Sequence, residues 1–171
     1  SVSGLHVGYI FIIFTVLFGR FDILKRSILI IIGLILFMCL TGFFASVFRS
    51  VVMSTVLILS QISNRSTNIF NSIAIAAFIV LAINPDELFD AGFQLSFIAV
   101  LSIAVIYPMF EEFLKTYKVK SLVIKYILLF MGVSLSAQLG TLPLTLIYFG
   151  KLSIVSLITN LFVIPVSGLI V

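Results

Sequence analysis

Seven long apolar runs, separated by short charged connectors, fill almost the whole of this chain and leave few folds open to it. They are Leu5 to Phe18, Ser27 to Ser46, Ser50 to Asn64, Asn68 to Ile83, Ala91 to Phe110, Tyr126 to Gly150, and Leu152 to Val171. A transmembrane helix takes roughly 20 apolar residues. Hydrophobic residues are 62% of the chain and charged residues 9%, too little charge to cover a water-soluble surface of this length. In lipid every backbone polar group must be satisfied internally, which favours helices for runs of this length. The expected fold is therefore an all-α polytopic membrane protein with about seven transmembrane helices or helix segments, some broken by Pro or Gly.

The connectors set the punctuation. Arg20, Asp22, Lys25 and Arg26 follow the first run, Arg49 precedes the third and Arg65 closes it. The third run, 15 residues, reaches only about 22 Å at 1.5 Å per residue, so it either crosses or forms a re-entrant element. Asn84-Pro85 ends the fourth run, because proline forces the preceding residue out of helical geometry. Gly140 and Pro143 interrupt the sixth run and suggest a helix that breaks before its end; Asn160 and Pro165 interrupt the seventh. With the Arg20–Arg26 connector in the cytoplasm, alternation places eight basic residues inside and only Arg49 and Lys151 outside. The acidic turn Asp86 to Asp90 then falls outside.

That orientation puts Ser3, His6, Arg49, Asp90, Gln94, Pro143 and Lys151 at the outer ends of their spans. Ionisable groups near membrane depth usually face a cavity or a partner, so several at one level suggest an outward-facing vestibule. Arg49 either meets phosphate through its fork of donors or snorkels as a membrane-edge anchor. Asp90 and Gln94 stand one helical turn apart; the carboxylates of this turn either bind a divalent cation, pair with Arg49 or Lys151, or brace the turn, and bracing with pairing is the favoured reading. Gln138, one turn from Ser134, and Asn160 are either lining groups or interhelical hydrogen-bond donors. His6 either carries protons or bonds a neighbouring helix. Gly4 and Gly8 share a helix face, and Gly42, Ser46, Ser50 and Ser54 recur every four residues, which reads as close packing. Cys39, in an apolar run, reads as a buried structural thiol. No catalytic constellation, metal site or cofactor loop is expected: the single histidine supports no His-Glu-x-x-His motif, and no Gly-Lys-Ser loop occurs.

The stretch Asn84-Pro85, then Leu88-Phe89-Asp90-Ala91-Gly92-Phe93-Gln94-Leu95-Ser96-Phe97, resembles the central motif of the ComEC competence-protein family. Other blocks resemble that family in order along the chain. They are Ser3-Gly4-Leu5-His6-Val7-Gly8; Gly42, Ser46, Arg49, Ser50 and Met53; Leu142-Pro143-Leu144; and Tyr148-Phe149-Gly150 with Leu152-Ser153, Asn160 and Ile164-Pro165. The resemblance implies that residues 1–171 are a single membrane-embedded competence domain, truncated at both ends, of a larger protein with soluble flanking domains. Ser1 in place of an initiating Met and Val171 inside an apolar run accord with that expectation. It further implies a channel conducting single-stranded DNA across the bacterial cytoplasmic membrane during natural transformation. Its implied partners are an external DNA receptor and a cytoplasmic helicase-like translocase, and it is not an enzyme. The alternative class is a proton-coupled secondary transporter of a small solute, built on helices broken at Pro143 and Pro165 with Asp90 and His6 titrating.

Overall fold

The computed structural model describes residues 4–62, 68–116 and 122–150, side chains of 115–116 and 122–126 excepted. Among the described residues six α-helices follow one another: α1 (Gly4–Leu17), α2 (Ile23–Thr41), α3 (Ala45–Ile62), α4 (Ile69–Ile83), α5 (Ala91–Thr116) and α6 (Leu122–Phe149). A 3₁₀ turn, Pro85–Phe89, stands between α4 and α5. The helices α2, α3, α5 and α6 are long and apolar enough to cross a membrane; α1 and α4, at 14 and 15 residues, are shorter. The seventh apolar run lies outside the described residues, as do Lys151, Asn160 and Pro165. The described residues divide into two compact units, those up to Leu88 and those from Phe89 onward.

In the first unit, α1, α2 and α3 pack around Val7, Ile30, Leu34, Val47, Val51 and Ile58, and α4 packs against α3. Phe14 lies against Gly33, where a side chain on α2 would collide with the ring. The reverse faces carry exposed apolar side chains such as Leu40 and Phe78, the outward distribution that lipid rather than water accepts. Cys39 belongs to such a face and is exposed, not the buried thiol that the sequence suggested. Near one end of the unit the start of α1 meets the start of α3, Gly4 against Ser50. Ser72 of α4 donates to, or accepts from, Ser60 of α3 at 3.1 Å toward the other end. Those contacts set the start of α1 beside the start of α3, and the end of α3 beside the start of α4.

Several boundaries differ from the sequence reading, α2 starting at Ile23 rather than Ser27 and α6 at Leu122 rather than Tyr126 among them, and one residue explains two of them. Gly42 has φ 81° and ends α2 in the left-handed conformation. Its N–H donates to the Cys39 carbonyl at 3.3 Å, and the Phe43 N–H to the Met38 carbonyl at 3.2 Å, the paired closure of a Schellman motif. The second run therefore stops at Thr41 rather than Ser46, and α3 begins at Ala45 rather than Ser50. Eighteen residues make α3 about 27 Å long, close to a hydrocarbon core. Among the described residues none lies within 4 Å of a side chain built at Gly42 or Gly8, so neither packs closely against them.

The second unit is described by α5 and α6, packed antiparallel. Gln94 meets Tyr148, Ser102 meets Gly140, and Phe110 meets Gly132. Each helix advances eight residues between contacts, so one row of every fourth residue faces the other. On α6 that row is Gly132, Ser136 and Gly140, small residues that let backbones approach where lipid supplies no hydrophobic drive. The expected break at Gly140 and Pro143 is corrected: α6 runs unbroken through both. Gly140 is a packing position against Ser102, and α6 continues as a helix past the donor that Pro143 lacks. The Thr141 and Thr145 hydroxyls donate to the Ala137 and Thr141 carbonyls on either side. In lipid an uninterrupted helix keeps all other backbone groups paired. One of the two broken helices behind the transporter alternative is thereby removed. Helix α5 likewise passes through Pro108 and carries Glu111 and Glu112 to Thr116, beyond the expected end at Phe110.

Candidate functional site

Arg49 stands in the second turn of α3, not in a connector, because α3 starts at Ala45. It is 7% exposed. Its Nη1 donates to Oε2 of Glu87 at 2.6 Å, a short charge-assisted bond. Glu87 lies on the 3₁₀ turn, held there because the Asn84 N–H closes α4 on the Val80 carbonyl and Pro85 prevents its continuation. The Glu87 N–H then donates to the Asn84 carbonyl at 3.3 Å. The pair therefore ties α3 to the chain leaving α4. Beside it in sequence, the Ser50 hydroxyl donates to the Ser46 carbonyl at 2.9 Å, on the face that receives Gly4. His6 is half-buried in the first turn of α1.

The second unit carries its own polar groups. Asp90 caps α5, its Oδ2 accepting from the Phe93 N–H at 2.9 Å while its carbonyl accepts from the Gln94 N–H. Gly92 follows in the first turn. Gln94 Oε1 accepts from the Tyr148 hydroxyl at 3.0 Å, joining the start of α5 to the end of α6. Ser134 Oγ and Gln138 Nε2, one turn apart on α6, are buried with no hydrogen-bond partner among the described residues. Phe93 and Phe97 bring their rings to 4.4 Å behind the cap.

His6 and Arg49 thus belong to the first unit, Gln94 and Gln138 to the second. The ion pair seen at Arg49 is with Glu87, a residue that sequence reasoning did not single out. Its signal was a carboxylate two residues past the proline that stops α4. Pro85 opens the turn, and Pro143 is exposed on α6. Ser60, Ser72 and the Gly132-Ser136-Gly140 row were also missed, and Tyr148 was noted only as part of a motif; four-residue spacing on a single helix was the available clue for the row. Among the described residues no group of three or more His, Cys, Asp or Glu could hold a metal.

Apolar helices that cross or nearly cross a bilayer, with polar groups bonded at their ends and crossings, define an all-α polytopic membrane protein. Within that class the chain belongs to the Competence protein family, whose model matches residues 1–171. It is 35% identical over 167 residues to ComE operon protein 3 of Bacillus subtilis (strain 168). That match covers 96% of this chain and 20% of the relative, so the chain spans about a fifth of the length of the curated protein it matches. No solved structure matches it.

Proposed function

We propose that this chain is the membrane part of a channel that conducts single-stranded DNA across the bacterial cytoplasmic membrane in natural transformation. Membership of the Competence protein family along the whole chain carries the reading. The physical chemistry supports it. A guanidinium inside the membrane domain suits phosphodiester oxygens, which it meets through a planar fork of donors. Tyr and Phe side chains offer stacking faces that accept any base. His6, Gln94 and Gln138, with Lys151 and Asn160 beyond the described residues, are the other candidates to line the path. Gly4, Gly42, Pro85, Asp90, Gly92, Pro143 and Pro165 shape it. The domain itself acts as a conduit rather than an enzyme, so the driving force comes from elsewhere. An external DNA receptor, a cytoplasmic helicase-like translocase and soluble flanking domains of the same protein are the partners this implies.

A transformation assay in a strain deleted for the full-length gene tests the reading. Uptake should fall to background and return with the wild-type gene. Arg49→Ala should lower uptake at least about tenfold at equal membrane abundance, and Arg49→Lys should recover only part of it. Unchanged transformation in the deletion strain would end the conduit reading. Normal uptake by an abundant alanine variant would leave Arg49 a structural residue alone.

A further inference from the structure

The Arg49–Glu87 pair brings a positive and a negative charge together in a largely dehydrated place. Arg49 is 7% exposed and the Glu87 side chain 17%. A buried ion pair is seldom the most stable filling for such a space, since apolar side chains of similar volume do as well or better. Stability alone is thus a weak reason for it. The two partners also rest on elements of unequal strength. Arg49 is fixed within an 18-residue helix, whereas Glu87 sits on a five-residue 3₁₀ turn, a form with poorer hydrogen bonds than an α-helix. On that turn Asp86, Leu88 and Phe89 are exposed, so it is less buried than the part of α3 that carries Arg49.

We propose that Glu87 is a built-in occupant of an anion site at Arg49, and that a phosphodiester takes its place when the 3₁₀ turn swings away. The inference rests on the conduit reading for the identity of the anion. A carboxylate and a phosphate offer the guanidinium the same paired oxygens. Exchange of one for the other leaves Arg49 neutralised throughout, which avoids the large penalty of a bare buried charge. The turn then closes the site whenever no backbone is present. Glu87 is a positioning residue in this scheme, acting through Arg49.

Binding of a fluorescein-labelled single-stranded oligothymidylate, and separately of pyrophosphate, by full-length protein in nanodiscs tests the idea. Glu87→Gln keeps the shape but removes the competing charge, and should tighten oligothymidylate binding about tenfold. The gain should vanish in the Arg49→Gln/Glu87→Gln double variant. The exchanged pair Arg49→Glu/Glu87→Arg should fold without gaining affinity. Equal or weaker binding by Glu87→Gln, or a gain that persists without Arg49, overturns the latch. A gain for pyrophosphate with no oligothymidylate binding in any variant keeps the latch and removes the conduit reading. A second measurement leaves the pair intact, should Glu87→Gln fail to fold. In a background with every native cysteine, Cys39 included, replaced by serine, thiol labelling of Asp86→Cys should speed up several-fold when oligothymidylate is added. An unchanged rate argues that the turn does not move and overturns the proposal.

Discussion

Single side chains decide whether these helices can meet. At Gly140 the space a Cβ would take is already filled by the Ser102 side chain, so even alanine requires one helix to move. Gly140→Val should destabilise the protein by about 1–3 kcal/mol, the usual effect of overpacking. Thermal unfolding of the purified protein in detergent is the measurement. Adding Ser102→Gly should recover much of the loss of Gly140→Ala by vacating the same space. An equal loss with and without Ser102→Gly would mean that the contact does not limit helix approach. Sequence reasoning saw Gly140 only as a helix breaker, because composition says that glycine is present but not what stands opposite. Arg49 was read differently for a related reason. With α3 started at Ser50 it is a membrane-edge residue; with α3 started at Ala45 it is an interior one, and its partner is Glu87.

Elements here are ended by a few well-chosen residues. Asn68 caps α4 by accepting from the Phe70 N–H at 3.0 Å, Asn84-Pro85 stops it, and Asp90 caps α5. Those ends were legible, since a polar cap or a proline interrupts an apolar run. The end of α2 was not, because Gly42 is followed by Phe43 and Phe44 and the run looks continuous. Gly42→Ala forces a side chain into a left-handed φ and should lose about 1–2 kcal/mol, with Gly42→Asn losing less. Urea or thermal unfolding in micelles would detect the ranking Gly, Asn, Ala. An alanine variant as stable as wild type would show that another closure holds this turn. The unbroken α6 belongs to the same scale: a proline is a strong breaker in water but a tolerated one where every alternative exposes backbone to lipid.

Within the first unit, opposite ends carry opposite character. The Arg20–Arg26 connector joins α1 to α2, while the Arg49–Glu87 pair and the exposed Asp86 lie where α3 starts and α4 finishes. The excess of basic residues at the first end predicts that it faces the cytoplasm. Single cysteines at Lys25 and Asp86, in a Cys39→Ser background, should then label from opposite sides. Asp86→Cys should react in intact cells stripped of their wall, and Lys25→Cys only after permeabilisation. Reaction of both from one side would break the alternation of α1 to α4.

By itself the sequence determined the solvent, the helical class and several helix ends. These follow from hydropathy, from the need to pair backbone groups in lipid, and from local caps, none of which requires knowing what lies across the bundle. Family resemblance was legible in the same way, as an ordered set of short motifs. The pairing of Arg49 with Glu87, of Gln94 with Tyr148, and of Gly140 with Ser102 was decided by tertiary structure. In lipid, helices associate through close packing and hydrogen bonds rather than a general apolar drive, so the partner of each polar or small residue depends on the register between helices. That register is a property of two surfaces at once, and a one-dimensional pattern holds only one of them at a time.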